Sequence, residues 1–95
     1  MRAKTRLLSW VALRGECRFS EEKIAGRCFR LNSDPFYLYD NPIVCSSRSG
    51  DLRVVARCLN YIAAVRLNLK HIPVIDIHNL TEEEEDLMVS IDTES

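Results

Sequence analysis

The fold of this chain is decided by residues 51–70, which read DLRVVARCLNYIAAVRLNLK. Apolar side chains recur there at the spacing of a single helix face: Val55, Cys58, Leu59, Ile62, Val65 and Leu69. Polar and cationic side chains fall on the opposite face: Arg53, Arg57, Asn60 and Asn68. The pattern therefore predicts one long central helix over about residues 51–70.

Shorter elements are expected on both sides of this helix. Residues 4–14 have the apolar pattern of an amphipathic helix that Gly15 ends. Three alternating or aromatic-rich segments predict strands, namely residues 26–31, 36–39 and 43–45. Residues 72–77 are a further extended segment, in which Pro73 favours an edge position.

The end of the chain predicts an acidic C-terminal helix or tail. Thr81 and Glu84 have the spacing of a capping box, and Glu82 and Glu83 complement the dipole of a helix running to about Ile91. Together these patterns predict an α+β fold. It is a small single domain with a short antiparallel β-sheet and a long central helix.

Length and composition restrict the class of protein. The 95 residues are 46% apolar and 28% charged, which is typical of one globular domain and too short for a multi-domain enzyme or a dinucleotide-binding fold. No apolar run approaches the roughly 20 residues that cross a bilayer. The apolar stretch at 7–13 is too short for a secretory signal. We therefore expect a cytoplasmic protein without lasting disulfides.

Charge is divided unevenly along the chain. Residues 1–70 contain all 13 Lys and Arg side chains and six acids, whereas residues 71–95 contain eight acids and no Lys or Arg. This asymmetry is typical of a basic body with an acidic tail, and it often accompanies contact with nucleic acid. The predicted division is a basic α+β body at 1–79 and an acidic segment at 80–95. Ordinary solvated surface charge is the alternative.

Four cysteines are dispersed through the basic body, at Cys17, Cys28, Cys45 and Cys58. Four thiolates can hold a 4Fe-4S cluster or a tetrahedral zinc ion. A shared metal site would also stabilise a domain with a thin core. The chain lacks the close chelating pair that structural zinc sites usually contain, so an iron–sulfur cluster is favoured over zinc. Inert core thiols and disulfides are the alternatives.

Constellations that would indicate an enzyme are absent from the sequence. Asp51 stands six residues after Cys45, where a phosphatase loop requires Arg, and the three glycines are too far apart to cradle a phosphate. Asp76 and His78 would share one side of a strand, but such a pair is more often part of an ordinary surface. We therefore predict a protein that is not an enzyme.

An Arg-rich face predicts contact with nucleic acid. Arg53 and Arg57 are four residues apart on the predicted helix, and an external anion such as a phosphate would relieve their repulsion. Arg27 and Arg30 lie among aromatic residues that could stack on bases or form the core of a hairpin. The predicted nucleic-acid-binding residues are Arg27, Arg30, Arg53 and Arg57.

The acidic segment predicts a protein-binding surface. Leu87, Met88 and Ile91 are apolar residues set among acids, as in an amphipathic helix that docks on a partner. The same segment could instead fold back on the cationic face and compete with nucleic acid. The overall hypothesis is a small accessory or regulatory protein with a four-cysteine metal site, which contacts nucleic acid or a complex that processes it. A metal-free protein–protein adaptor with core cysteines is the alternative.

Overall fold

The stretch expected to form the central helix is interrupted at Arg57. The computed structural model describes residues 3–15, 17–48 and 50–94, and in it residues 51–56 form a strand and residues 58–66 a helix. Arg57 has a left-handed backbone with a φ of 58°. The prediction of one helix over 51–70 is wrong. Val54 and Val55 are β-branched and both fully buried, and a strand buries adjacent residues on its two faces.

Five strands and four α-helices occur in the described ranges. The strands are β1 (Lys4–Leu7), β2 (Val11–Leu13), β3 (Ile43–Arg48), β4 (Asp51–Ala56) and β5 (His71–His78). The helices are α1 (Glu21–Ser33), α2 (Tyr37–Asp40), α3 (Cys58–Arg66) and α4 (Glu82–Glu94). A 3-10 turn at Leu8–Trp10 joins the first two strands.

The strands form one mixed sheet in the order β1-β5-β3-β4-β2. β1 with β5 and β3 with β4 are antiparallel, whereas β3 with β5 and β2 with β4 are parallel. The small mixed domain agrees with prediction, but the purely antiparallel sheet does not. α3 carries the chain from β4 to the far side of β3, and there β5 runs parallel to β3.

Residues 26–31, predicted to form a strand, lie inside α1. The helix begins at a cap, because the Ser20 hydroxyl accepts a hydrogen bond from the Lys23 backbone N–H at 3.2 Å. Ile24 and Leu31 are seven residues apart and both buried, which is helical spacing. The cap and this apolar pair outweigh the local alternation that favoured a strand.

Of the remaining secondary-structure predictions, those for residues 4–14 and 36–39 are wrong, and those for residues 43–45 and 72–77 are confirmed. Residues 4–14 form β1, the 3-10 turn and β2, because both strands pair at the edges of the sheet. Residues 36–39 belong largely to α2 and contribute no strand. The extended segments at 43–45 and 72–77 are confirmed as β3 and β5. Pro73, however, lies in a strand that has a neighbour on each side.

The main core is formed by the inner strands and α3. Fully buried apolar residues come from both: Ile43, Cys45, Val54, Ile72 and Val74 on the strands and Cys58, Ala63 and Ala64 on the helix. α1 packs on the outside of α3. α3 therefore packs against both the sheet and α1.

The acidic segment is a helix, as predicted. The Thr81 N–H donates to the Glu84 carboxylate at 2.9 Å and the Glu84 N–H to the Thr81 hydroxyl at 3.1 Å, which confirms the capping box. α4 contacts β4 and α3, and the division at 79/80 stays a prediction. Met1, Arg2, Glu16, Ser49 and Ser95 lie outside the described residues. None of the described helices has the length and apolar character to cross a membrane.

The core assignment predicts a large cost for truncating β5. Ile72 is fully buried, so Ile72→Ala should lower the free energy of unfolding by about 2–5 kcal/mol in urea denaturation followed by circular dichroism. Ile91 is 61% exposed, and Ile91→Ala is the matched control, with an expected change below about 0.5 kcal/mol. Equal effects of the two substitutions would contradict this core.

Candidate functional site

An open groove of about 770 Å³ runs between α1 and the start of α3. We call it the basic groove. Its lining combines four cations with aromatic rings and one acid among the described residues: Lys23, Arg27, Arg30, Arg57, Phe19, Phe29, Tyr37 and Asp92, together with Gly26 and Leu59. The groove is therefore a concave surface of strongly positive charge with apolar walls.

Lys23, Arg27 and Arg30 form a cationic ridge along one side of α1. They are spaced four and three residues apart, so they lie on neighbouring turns of the same helix face. Like charges at this spacing destabilise a helix by a few tenths of a kcal/mol. Among the described residues, Arg30 is the one ridge cation with an ion-pair partner, since its guanidinium lies 4.0 Å from the Asp34 carboxylate. An external anion would relieve this repulsion.

Two of the ridge arginines are held by the ring of Tyr37. The guanidinium carbons of Arg27 and Arg30 lie 5.3 and 4.9 Å from the ring centroid, which is cation–π distance. Arg27 also donates a hydrogen bond to the side-chain oxygen of Asn60, which is buried in α3. These contacts orient both guanidinium groups before any ligand arrives.

Arg57 reaches the groove from the turn between β4 and α3. Its guanidinium donates to the Pro42 carbonyl at 2.7 Å. Its backbone N–H donates to the Asp92 carboxylate at 2.7 Å, and the Cys58 N–H donates to the same carboxylate at 3.0 Å. A left-handed backbone costs a non-glycine residue about 1–2 kcal/mol. The three hydrogen bonds offset that cost.

The four predicted nucleic-acid-binding arginines do not all lie together. Arg27, Arg30 and Arg57 line the basic groove, whereas Arg53 lines a separate recess and lies 3.9 Å from Asp51. Residues 51–56 are a strand, so Arg53 and Arg57 do not share a helix face. Sequence reasoning missed Lys23, because its helical spacing to Arg27 is visible only once residues 21–33 are read as a helix.

The acidic helix is anchored through Glu85, which is 5% exposed. Three groups donate hydrogen bonds to the Glu85 carboxylate. They are the Ser46 hydroxyl at 2.5 Å, the Arg14 guanidinium at 2.6 Å and the Arg48 guanidinium at 3.1 Å. We call these four residues the Glu85 clamp. The hydrogen bond from Ser46, supported by the two arginines, holds the pKa of Glu85 below its usual range although burial opposes this. Sequence analysis did not single out Glu85.

Two of the three predicted protein-binding residues lie on the outer side of α4. Leu87 and Ile91 are 60% and 61% exposed, whereas Met88 is half-buried. Glu85 and Asp92 are seven residues apart and face the body of the protein. The helix thus presents two of its carboxylates, Glu85 and Asp92, inward and two aliphatic side chains outward.

The four cysteines do not gather into one site. Cys28 donates to the Ala63 carbonyl at 3.8 Å, and Cys45 is buried in β3. Cys58 is buried at the start of α3, and Cys17 packs on the edge of the core. Across the described residues, no group of three or more His, Cys, Asp or Glu could hold a metal ion. The structure gives no support to the predicted 4Fe-4S or zinc site, and all four thiols are free.

The surroundings of the buried thiols are those of core residues. Burial, with the charge of Asp76, raises the pKa of Cys45 to about 12. Burial also raises the pKa of Cys58, and the neighbouring Cys17 thiol and Asp92 raise it further. A nucleophile requires a thiolate, which these surroundings disfavour.

Comparison with known proteins identifies solved structures of similar fold. No family model and no curated protein matches the chain. Two crystal structures of the C-terminally truncated chromosome-partitioning protein ParB from Caulobacter crescentus are similar to it. The one complexed with CTP-gamma-S has a TM-score of 0.74 at 16% identity, covering 98% of this chain and 53% of that chain. The one complexed to the centromeric parS site has a TM-score of 0.73 at 18% identity, covering 94% and 46%.

This likeness shows the fold alone. The identity is low, and the present chain spans about half the length of either ParB chain. The groove must therefore be interpreted from its own residues.

The Glu85 clamp predicts a pH-dependent contribution to stability. The folded state holds the pKa of Glu85 below its unfolded value of about 4.3, so the contribution is present above that pH and is lost as the pH falls through the folded pKa. Glu85→Gln should lower the free energy of unfolding by roughly 1–3 kcal/mol at pH 7. It should also flatten the acid limb, meaning the part of the profile where the free energy of unfolding falls as the pH is lowered. Glu83→Gln, on the exposed side of α4, loses only the interaction with the helix dipole, so it should cost about 0.3–1 kcal/mol and largely preserve the acid limb.

The thiol environments predict an order of reactivity. Cys45 should be alkylated by iodoacetamide much more slowly than the half-buried Cys28, because little Cys45 thiolate exists at pH 8. Peptide mapping by mass spectrometry gives the rate at each site, and urea-unfolded protein is the control in which the rates should converge. Faster labelling of Cys45 than of Cys28 in the folded protein would contradict the buried-thiol assignment.

Proposed function

We propose that the basic groove binds the phosphate backbone of nucleic acid, and that the protein acts as a non-enzymatic accessory or regulatory domain. The observation that carries this proposal is the convergence of Lys23, Arg27, Arg30 and Arg57 on one concave surface. These are the side chains that replace counterions along a nucleic-acid strand. Arginine in particular matches phosphate geometry with its planar fork.

Aromatic side chains at the groove support the choice of nucleic acid over a small anion. Phe29 is 74% exposed and Phe36 is 69% exposed, close to the cationic ridge in the chain. A phenylalanine that is not packed in the core is available to stack on a base. The Tyr37 ring is engaged by the two arginines, so Phe29 is the stacking residue we propose within the groove itself.

The solved structures of similar fold add indirect support. One ParB structure is a complex with a centromeric DNA site and the other a complex with a nucleotide analogue, so domains of this shape occur in proteins that bind both kinds of phosphate ligand. A free nucleotide is therefore the ligand that must be distinguished from a strand. A nucleic-acid strand can contact all four groove cations, whereas the phosphates of a free nucleotide place their charge at a single position.

The outer side of α4 favours one second function. Leu87 and Ile91 are exposed on a helix with no Lys or Arg, which is the pattern proposed for docking on a protein partner. This adaptor function does not require the groove to bind phosphate. The two functions separate in the following experiment, since an adaptor alone would not bind an oligonucleotide at any salt concentration.

Salt-dependent binding tests the proposal. Fluorescence anisotropy with a labelled strand of about 20 nucleotides should show affinity falling about 50-fold from 50 to 200 mM salt if four phosphates are contacted, and about 150-fold for a duplex. Free cytidine triphosphate should compete only weakly. Strong competition at equimolar nucleotide would favour a nucleotide site, and no binding at 50 mM salt would rule out the proposal.

A charge reversal locates the interface. Arg30→Glu should weaken oligonucleotide binding about tenfold at 50 mM salt and reduce the salt dependence, because it removes a groove cation and adds repulsion. Lys70→Glu makes the same change of charge on an exposed residue outside the groove and is the matched control. Equal losses in the two variants would mean that binding follows net charge and not this groove.

A further inference from the structure

α4 lies on the body as a strap held by a carboxylate near each end. Glu85 accepts hydrogen bonds from Ser46, Arg14 and Arg48. Seven residues later, Asp92 accepts hydrogen bonds from the backbone N–H groups of Arg57 and Cys58. Residues seven apart lie two turns along the same helix face. One face of α4 therefore brings two anions to two separate sets of donors.

The second of these anions stands inside the basic groove. Asp92 is a lining residue and the one acid among the described residues there. It reduces the positive charge of the surface and uses donors beside Arg57 that a phosphate oxygen could use. A phosphate brought to the same place would meet a carboxylate at contact distance. The two anions would repel each other, so full use of the groove by a strand is opposed while Asp92 stays there.

Little apolar burial fixes α4 in place. Within residues 82–93, Glu85 is the one side chain that is buried, while Met88 and Val89 are half-buried and Leu87 and Ile91 are exposed. Docking thus depends mainly on polar contacts, and these weaken when a competing charge arrives. Elements with few buried apolar contacts are the ones that open at low free-energy cost.

We propose that α4 is a displaceable strap that regulates the basic groove: nucleic-acid phosphate expels the Asp92 end of the helix, and the Glu85 clamp sets how strongly the strap resists. This inference rests on the proposed binding function. The apparent dissociation constant is the intrinsic value divided by the fraction of molecules with the strap open. Weakening the clamp raises that fraction and must tighten binding. By reciprocity, bound nucleic acid must loosen α4.

The decisive comparison uses two substitutions in the same helix. Glu85→Gln weakens the clamp and Glu83→Gln does not, yet each removes one negative charge and neither residue lines the groove. Both 95-residue variants are titrated with the labelled oligonucleotide at 50 mM salt, after circular dichroism has confirmed that they are folded. We expect Glu85→Gln to bind at least fivefold more tightly than Glu83→Gln. Affinities within twofold of each other would overturn the strap while leaving the proposed function intact.

Hydrogen exchange of the wild-type protein provides a measurement that does not depend on a variant folding. Saturating oligonucleotide should speed amide exchange in residues 86–93 and slow it in α1. Unchanged or slower exchange in α4 on binding would contradict displacement. If no variant binds at any salt concentration, the proposed function fails and the strap fails with it. That outcome is distinct from equal binding by the two variants.

Discussion

The turn at Arg57, with the Asp92 carboxylate bound to its backbone, is where the sheet, the basic groove and the acidic helix meet. Two backbone N–H groups donate to this carboxylate where β4 ends and α3 begins. The contact stabilises a left-handed residue, satisfies the first N–H groups of α3 and docks the end of α4. The Arg57 side chain lines the basic groove and is held there by a contact of its own, since its guanidinium donates to the Pro42 carbonyl.

The uneven charge of the sequence has a structural explanation in these contacts. The acids of the last third are not merely solvated, since Glu85 is buried among Ser46, Arg14 and Arg48 and Asp92 is bound to backbone N–H groups. Other cations, on α1 and at Arg57, remain in an open groove. The protein thus neutralises part of its basic surface internally and leaves another part available to an external anion.

The sequence predicted the elements whose signals are local. The capping box at Thr81 and Glu84, the extended run at 72–77 and the strand at 43–45 were read correctly because caps and β-branched runs act over a few residues. The stretch 51–70 misled because its apolar residues fit a helix stripe along their whole length. What divides it is the turn at Arg57, stabilised by Asp92 from 35 positions later, and no local pattern reveals that contact.

The candidate site shows the same division. Arg27, Arg30 and Arg57 were predicted as a cationic set and do line one groove, although Arg53 does not. Lys23 could have been found from its spacing to Arg27 on a helix. The four cysteines were grouped on chemical character alone, and the packing distributes them through the core and its edge. No two of the cysteines are close enough in the sequence to form a chelating pair. Their spacing therefore carried too little information to predict whether the four sulfur atoms lie near one another.

An amide chemical-shift map of the isotopically labelled protein, recorded during titration with an oligonucleotide, tests directly whether the basic groove is the binding surface. Binding in this groove predicts the largest shifts at residues 23–30, at Tyr37 and at the Arg57 and Cys58 amides, with little change around Arg53. Shifts centred on Arg53 and the neighbouring recess, or no shifts in α1, would contradict the assignment of the groove as the binding surface.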